Sequence, residues 1–361
     1  MSVPLRTVAR VWTRIGLVGF GGPPAHISLL RKETAGWITE TELEDALAAA
    51  NLLPGPASTQ LSIWTAWRVA GWRGGLVGGL GFVVPGLAVV LALSALVLGH
   101  PPRWVLGAAA GAGAAVAPVA VCTAWGLVGP SRARATSRAR WCAYLLAGAV
   151  TGALLGAWVV ATLLLCGLVE AGVRTQLLLW PAGWPVAGGI SWTALKVGLL
   201  SYGGGFVIVP LMRDDAVLRH RWMTAQQFLD AVALGQVTPG PVVHTVAVVG
   251  YAAGGLGGGL LAAVVAFAPS FVMVLAGARH FDRLRGSAPV QAFLTGAGPA
   301  AIGAIAGSAW PLAASLSQTW QIAVLVLAAG LLLTRRSVVT SILLSGAVGL
   351  VMSLVGASLP A

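Results

Sequence analysis

The chain has 361 residues, of which 57% are hydrophobic and only 9% are charged, and its mean hydropathy is +0.87. A soluble domain carries about 25% charged residues, so this composition excludes a pair of ordinary soluble domains. The net charge is +12, but the basic residues cluster in short loops between apolar runs, which is typical of cytoplasmic membrane-protein loops and not of nucleic-acid binding. The sequence therefore predicts an all-α polytopic protein of the plasma (inner) membrane, with the lipid bilayer around it and no nucleic-acid partner.

In chain order, the first predicted helix lies within Met1–Phe20, where three arginines interrupt the apolar sequence and no cleavage site follows, unlike a signal peptide. A helix needs about 20 apolar residues to cross a bilayer. The runs that approach or exceed this length are Leu76–Leu98, Val105–Val128, Leu260–Ala276 and Val338–Leu354. Two further regions, Trp141–Val169 and Trp320–Leu354, can each hold one crossing or two short helices, so we expect about 10 to 12 transmembrane helices.

Short motifs in the first half of the chain recur in the second half. Phe20-Gly21-Gly22 returns as Tyr202-Gly203-Gly204, and Pro54-Gly55-Pro56 returns as Pro239-Gly240-Pro241. Transporters are often built from such internal repeats. We predict an N-terminal transporter repeat at 1–169, a linker at 170–189 and a C-terminal transporter repeat at 190–361.

The charged loops of the two halves lie at opposite ends of equivalent helices. Arg68 and Arg73 precede the helix from Leu76, whereas the equivalent stretch of the second half carries no charge. After that helix the pattern reverses, because 100–103 is weakly charged and its equivalent, 279–285, is basic. Positive loops stay on the cytoplasmic side, so we predict an inverted-topology repeat.

Each half contains a helix-like apolar run that is broken by Pro-Gly-Pro. The first run is Leu43–Leu53 before the break and Ala57–Ala70 after it, and the second is Phe228–Thr238 and then Val242–Ala253. Proline removes an amide donor and disfavours helix in the residue before it, so each helix must break. Non-helical backbone at membrane depth occurs only where it is buried in protein or lines a water-filled cavity. The alternative is a proline kink that only packs helices.

Each break also creates a helix N-terminus with free N–H groups, which is suited to an anion. Hydrogen-bonding side chains follow both breaks, and these are Ser58, Thr59, Gln60, His244 and Thr245. Together they predict a binding site for an oxyanion.

Two cations match across the repeat. Arg14 and Lys196 each lie six residues before an aromatic-Gly-Gly motif. A cation at membrane depth costs about 2.5 kcal/mol or more on insertion scales, so it usually faces a cavity or a partner. We expect both to flank a midplane site for a divalent anion. The alternative is two buried pairs, Arg14 with Asp45 and Lys196 with Asp230, or cations that extend outward to the interface.

Three residues are candidates for coupling to protons. Asp45 and Asp230 match across the repeat, nine residues before each Pro-Gly-Pro. His26 has no histidine equivalent, but histidine titrates near neutral pH. The alternative for His26 is a structural hydrogen bond. Glu33 and Asp215 also match and are interpreted as loop charges.

The motif Phe20-Gly21-Gly22-Pro23 with His26, and the stretch Asn51–Pro56 followed by Ser58, Thr59 and Gln60, resemble the signature of the chromate ion transporter (CHR) family in its long two-domain form. Tyr202–Gly205 and Thr238–Pro241 resemble its second copy. The resemblance implies a secondary transporter that expels chromate, confers chromate resistance, and has sulfate as a related substrate. It also implies homologous halves of opposite orientation.

The predicted function is therefore chromate export, without enzymatic activity, cofactor or metal. The alternatives are a sulfate or other oxyanion permease and a membrane-embedded enzyme acting on a lipid-linked substrate; a homodimer is compatible with the sequence. The predicted substrate-binding residues are Arg14, Gly21, Gly22, Pro54, Gly55, Pro56, Ser58, Thr59, Gln60, Lys196, Gly203, Gly204, Pro239, Gly240, Pro241, His244 and Thr245.

Overall fold

The computed structural model describes residues 3–20, 22–50, 55–99, 101–175, 189–201, 207–277 and 287–360. These residues are mostly helical and contain no strand. Four predicted site residues, Gly21, Pro54, Gly203 and Gly204, lie outside the described residues, as does most of the predicted linker.

The helices of the first half are α1 (Leu5–Val18), α2 (Pro23–Thr34), α3 (Glu40–Ala50), α4 (Ala57–Leu98), α5 (Arg103–Ala114), α6 (Val116–Ala133), α7 (Arg138–Leu154) and α8 (Val159–Thr175). Those of the second half are α9 (Gly189–Leu200), α10 (Ile208–Arg213), α11 (Ala225–Val237), α12 (Thr245–Gly277), α13 (Ala288–Ala314), α14 (Thr319–Leu333) and α15 (Val338–Leu354). A π-helical turn (Asp214–Arg219) extends α10, and a 3-10 turn (Val242–His244) precedes α12.

Four stretches of the described chain are long and apolar enough to cross a bilayer. They are Ala57–Leu98, Arg103–Ala133, Val242–Gly277 and Ala288–Ala314. Large apolar side chains on these helices remain exposed, among them Trp125 at 78% and Val264 at 66%, which is expected of a surface that contacts lipid. The prediction of an all-α polytopic membrane protein is confirmed.

α4 and α12 are each bent back on themselves. The backbone is non-helical at Ala70 and Gly71 in α4 and at Gly254 and Gly255 in α12. Gly71 and Gly255 have φ values of +64° and +60°, which glycine adopts without steric cost. We call residues 57–70 the short arm and 71–98 the long arm of α4.

In α12 the short arm is residues 245–254 and the long arm is residues 255–277. Within each helix the two arms pack antiparallel, with Ala66 against Gly78 in α4 and Gly250 against Gly258 in α12. The small residues let the two backbones approach closely. The predicted segments after Pro-Gly-Pro therefore end at these bends.

The first half begins with two short helical hairpins. In the first, Arg14 on α1 lies 3.8 Å from Glu33 on α2. In the second, Arg68 on the short arm of α4 lies 2.6 Å from Glu42 on α3. α1 has 14 residues, which is about 21 Å of helix and less than the ~30 Å hydrocarbon thickness. Both hairpins therefore turn within the membrane. Their ends are the Gly tip (19–22) and the Pro-Gly-Pro tip (54–56) of the first half.

The second half begins with the equivalent pair of hairpins. Lys196 on α9 pairs with Asp215 in the π-helical turn after α10, and Gly235 on α11 packs against Thr245 at the start of α12. The second of these hairpins ends at the Pro-Gly-Pro tip (239–241) of the second half, and residues 202–206, which are equivalent to the Gly tip in the sequence, lie outside the described residues.

The long arms of α4 and α12 are equivalent in the repeat, and they pack against each other antiparallel. Gly75 contacts Leu275, and Leu91 contacts Gly259. Residue numbers therefore rise along one arm while they fall along the other. Two equivalent helices that run in opposite directions confirm the prediction of inverted topology.

The regions Trp141–Val169 and Trp320–Leu354, for which the sequence allowed either one crossing or two short helices, each contain two short helices. α7 and α8 are separated by residues 155–158, and α14 and α15 by residues 334–337. α8 packs on α13 where Gly296 meets Cys166, and α15 packs on α5 where Gly111 meets Gly349. Small residues thus allow close helix packing at both of these contacts.

Candidate substrate site at the hairpin tips

The Pro-Gly-Pro tip of the second half docks on the first half. The Gly240 amide donates a 3.0 Å hydrogen bond to the carbonyl oxygen of Gly19. Gly240 has φ +93°, and a methyl group there would lie 2.9 Å from Cε1 of His244 and 3.5 Å from the carbonyl oxygen of Phe82. Glycine is therefore required at this position both for its backbone conformation and for the close approach.

The Pro-Gly-Pro tip of the first half docks on the second half in the equivalent way. Gly55 has φ +116°, and a methyl group there would lie 2.7 Å from Gln60 Nε2, 3.0 Å from Ser270 Oγ and 3.1 Å from the Gly198 carbonyl oxygen. Gly198 lies near the end of α9, and Ser270 lies on the long arm of α12. Each tip thus contacts the other half of the protein.

Both contacts lie at the depth of the membrane centre. Phe82 and Gly86, which contact the second-half tip, lie midway along the 71–98 arm. Gly198 packs against Ala266, which lies midway along the 255–277 arm. These arms are the bilayer-spanning parts of α4 and α12, so the tips lie near the midplane.

Helix N-termini start at the tips. α2 begins at Pro23, directly after the first-half Gly tip, and α4 begins at Ala57, directly after Pro56. The 3-10 turn that leads into α12 begins at Val242, directly after Pro241. Pro23 and Pro24 carry no N–H, so the free N–H groups at the centre are those of the residues that directly follow Pro56 and Pro241. Together with the positive ends of the helix dipoles they favour an anion.

Buried polar side chains without a hydrogen-bond partner also concentrate around the tips. An unsatisfied buried polar group costs about 1–3 kcal/mol, so a cluster of them is best explained by a polar solute or water that binds there. Apart from Ser345, the described residues with such atoms flank the tips, and they include His26, Thr59, Ser62, Gln236, Thr238, His244 and Ser270.

Two histidines from different halves meet at this centre, and both are fully buried. The Nε2 atom of His26 lies 2.9 Å from the same Gly19 carbonyl oxygen that accepts from Gly240, and the ring packs edge-on against Phe82 at 5.0 Å. His244 packs against Phe267 at 5.4 Å. The two rings thus lie on either side of one contact between the halves.

The two predicted cations pair with different carboxylates from those considered in the sequence analysis. Arg14 pairs with Glu33, and Lys196 pairs with Asp215. The alternative pairing of these cations with Asp45 and Asp230 is therefore wrong. It failed because the Gly-tip hairpins bring the following helix, and not α3 or α11, against the cation.

The interpretation of Glu33 and Asp215 as loop charges is also wrong. Asp215 is 2% exposed and accepts a 2.7 Å hydrogen bond from Thr193 in addition to its contact with Lys196. Glu33 lies within α2. Both belong to the hairpins that carry the cations.

Asp230 is buried in a network of amides. It accepts a 2.8 Å hydrogen bond from Gln226, whose side-chain oxygen accepts one from Gln321 at 3.0 Å. This network joins α11 to α14. Asp45 is half-buried on α3.

The predicted residues after the breaks are buried at the tips as expected. Ser58, Thr59, Gln60, His244 and Thr245 are each at most 3% exposed. The prediction missed Gly19, Ser270, Gln236 and Thr238. Ser270 directly follows Pro269, which matches Pro85 across the repeat, so this pair of prolines was the available signal.

A cavity of about 240 Å³ lies beside the turn between α7 and α8 and is also lined by Val209 and Pro210 on α10. Its lining includes Arg213, Asp214, Trp158 and Ser308. Among the residues that the structure describes, no group of three or more metal-ligating side chains is present.

The family model described as Chromate transporter matches residues 6–171 and 189–350. The chain belongs to the chromate transporter family. It is 32% identical to a chromate transport protein of Cupriavidus metallidurans, over 86% of this chain and 82% of that protein. It is 30% identical to a probable chromate transport protein of Synechococcus elongatus, over 84% and 83% of the two chains.

A chromate transport protein of Pseudomonas aeruginosa is 32% identical, over 83% of this chain and 79% of that protein. No solved structure matches this member of the family. The two matched regions are separated by residues 172–188.

Proposed function

We propose that this chromate transporter family member is a secondary transporter that exports chromate across the plasma membrane, and that the oxyanion binds between the hairpin tips. The observation that carries the proposal is the reciprocal docking of the Pro-Gly-Pro tips at mid-depth, through Gly55 and Gly240. Substrate sites at the interface of inverted repeats, formed by broken helices, are the arrangement on which many secondary transporters operate.

A tetrahedral oxyanion has only acceptor atoms, so its site must supply donors. The tips offer the backbone N–H groups of the residues that directly follow Pro56 and Pro241, together with hydroxyl and amide side chains. The proposed contacts are made by Gly21, Gly22, Pro54, Gly55, Pro56, Ser58, Thr59 and Gln60 in the first half and by Gly203, Gly204, Pro239, Gly240, Pro241, His244 and Thr245 in the second.

The two predicted cations act on the anion from a distance in this proposal. Arg14 lies five residues before Gly19, which is about 7.5 Å along the helix, and Glu33 holds it. Lys196 is held by Asp215 in the same way. An anion at the tips competes with each carboxylate for its cation, so binding would loosen both Gly-tip hairpins.

The bends at Gly71 and Gly255 can act as hinges between the short arm and the long arm of each half. Each Pro-Gly-Pro tip is carried by a short arm that is joined to its long arm only through such a bend. If the hairpins of one half rotate relative to those of the other half about the packed long arms, the space between the tips would open alternately to each side of the membrane.

Sulfate is the second candidate substrate, because it is also a tetrahedral dianion and the same donors would bind it. The halves are proposed to divide at 1–169 and 190–361, with 170–189 between them. Chromate export, and not chemistry on a lipid-linked substrate, is the activity proposed.

The test is uptake of labelled chromate and labelled sulfate into everted membrane vesicles. Export from cells corresponds to uptake into these vesicles. The proposal expects uptake of chromate above that of vesicles without the protein, and loss of that uptake in a Thr59→Val/Ser270→Ala variant that inserts normally. Equal uptake with and without the protein would refute the transport assignment, and full activity in the double variant would refute the site.

A further inference from the structure

We propose that His26 and His244 form a proton site shared between the two halves, which takes up one proton when the oxyanion binds at the tips and releases it with the anion. The inference rests on the proposed oxyanion site and adds the identity of the coupled ion. It makes the protein a transporter of the anion together with a proton.

The first argument is the charge of the site. A dianion that leaves water needs compensating positive charge. Among the residues that the structure describes, Arg14 and Lys196 are the cations nearest to the tips along the chain, and each is already paired with a carboxylate. Helix N-termini supply only partial charges of about +0.5. A proton bound by an imidazole would supply the rest.

The second argument is the state of the two rings. His26 uses Nε2 to reach the Gly19 carbonyl, which leaves Nδ1 buried and without a hydrogen-bond partner. Both ring nitrogens of His244 lie near backbone carbonyls, of Val83 and Pro239, without a hydrogen bond of good geometry. Nδ1 of His26 can therefore receive a proton or contact an anion, whereas the two carbonyl oxygens beside His244 can accept from its ring when the ring is protonated.

The third argument is the position of the rings relative to each other. His26 and the Gly240 amide converge on one oxygen atom, that of Gly19, and His244 packs against Gly240. Two cationic rings this close would repel each other, so the pair is expected to hold one proton. Because one ring comes from each half, movement of the halves changes the environment of that proton.

Other ionisable groups on the surrounding elements do not contact the rings. None of them forms an ion pair with either histidine among the described residues. These groups are Arg6, Arg10 and Arg14 on α1, Arg31, Lys32 and Glu33 on α2, Arg68 and Arg73 on α4, Asp230 on α11 and Tyr251 on α12.

The proton comes from water on the side from which the anion enters, and it leaves to water on the other side. A complex of a dianion and one proton carries a net charge of −1. Its outward movement is therefore favoured by a membrane potential that is negative inside, and each turnover also carries one proton out.

The experiment is calorimetric titration of the purified full-length protein with chromate at about pH 8, where free chromate is a dianion, in two buffers of different ionisation enthalpy. The difference between the binding heats measured in the two buffers gives the number of protons taken up per bound anion. We expect about one proton per bound anion, and a Kd for chromate that rises about tenfold per pH unit above this pH. Sulfate, which stays a dianion at lower pH, is the second probe.

The variants are His26→Gln, His244→Gln and the double variant, with His220→Gln as the control because His220 is exposed and stacks on Trp222 outside the site. The double variant is expected to bind with less than about 0.2 protons and with little dependence on pH. The control is expected to keep the wild-type value.

Each outcome is decisive. Chromate binding by the wild type without proton uptake would overturn the shared proton site and leave the transport assignment intact. Undiminished proton uptake in the double variant would also overturn it and would assign the proton to another group. If the wild type binds neither chromate nor sulfate, the proposed oxyanion site itself fails. If the double variant does not fold, the two single variants are measured in its place, and undiminished proton uptake in both of them would overturn the shared site.

Discussion

The amide nitrogen of Gly240, in the second half of the chain, donates a 3.0 Å hydrogen bond to the carbonyl oxygen of Gly19, in the first half. The bond joins a Pro-Gly-Pro tip to a Gly tip at the middle of the membrane. The equivalent glycine of the first half, Gly55, lies against Gly198 and Ser270 in the second half. Each half therefore contacts the other through its Pro-Gly-Pro tip.

Substitution of either tip glycine is expected to abolish chromate transport. Each substitution places a methyl group on a residue with positive φ, so the backbone of the tip is strained. The Gly55→Ala methyl group would also press on Ser270 and Gly198 of the other half, and the Gly240→Ala methyl group would displace the His244 ring. The measurement is chromate uptake into everted vesicles, normalised to protein in the membrane. Gly126→Ala is the matched control, because nothing lies within 4 Å of its added methyl group. Normal transport by the tip variants would contradict the docking.

Loss of Lys196 is expected to destabilise the protein much more than loss of Arg14. The Lys196 side chain is 15% exposed and its Asp215 partner 3%, whereas the Arg14 side chain is 68% exposed. Removing one partner of a buried pair costs about 3–5 kcal/mol, whereas the Arg14–Glu33 pair is longer, at 3.8 Å, and its loss leaves a less buried carboxylate behind. Thermal unfolding in detergent compares Lys196→Met with Arg14→Met.

The double variant Lys196→Met/Asp215→Leu separates stability from transport. Because it removes both charges, its Tm is expected to return towards that of the wild type. If Lys196 also attracts the anion, chromate uptake stays low in this stable variant. Recovery of uptake together with Tm would restrict Lys196 to a structural role.

The order of contacts along the long arms can be checked by cross-linking. In a cysteine-free background, the pairs Gly75→Cys with Leu275→Cys, and Leu91→Cys with Gly259→Cys, are expected to react with a short bifunctional thiol reagent, since these positions are in contact. The control pair is Leu91→Cys with Leu275→Cys, which would be neighbours only if the arms ran parallel. Efficient cross-linking of the control alone would reverse the assignment of topology.

A buried carboxylate is expected to hold the ends of α7 and α8 together. Glu170 is 2% exposed and accepts 2.9 Å hydrogen bonds from Arg140 and from Arg174. Glu170→Gln removes the charge that both guanidinium groups face, so Tm should fall by an amount that corresponds to about 2 kcal/mol or more. Glu44→Gln is the control, because that side chain is 65% exposed, and its Tm should not change. An unchanged Tm for Glu170→Gln would show that the cluster contributes no net stability.

The predictions that rest on local chemistry were confirmed by the structure. The segments predicted after the two Pro-Gly-Pro breaks, Ala57–Ala70 and Val242–Ala253, end next to the bends at Gly71 and Gly255. New helical segments begin directly after Pro56 and Pro241, as a helix broken by proline is expected to do. The ion pairs were the main failure. A cation at Arg14 could pair with either of two carboxylates, and sequence spacing does not say which helix folds back against α1.

The sequence by itself determined that the protein lies in the membrane, that it is duplicated and that its halves are inverted, because hydropathy, proline chemistry and loop charge act over short stretches of chain. Tertiary structure decided which tip meets which. The contact of Gly240 with Gly19, and the placement of His26 and His244 beside it, bring together residues more than half the chain apart. Such contacts depend on how the four hairpins pack around the long arms of α4 and α12, and no local sequence pattern encodes that packing.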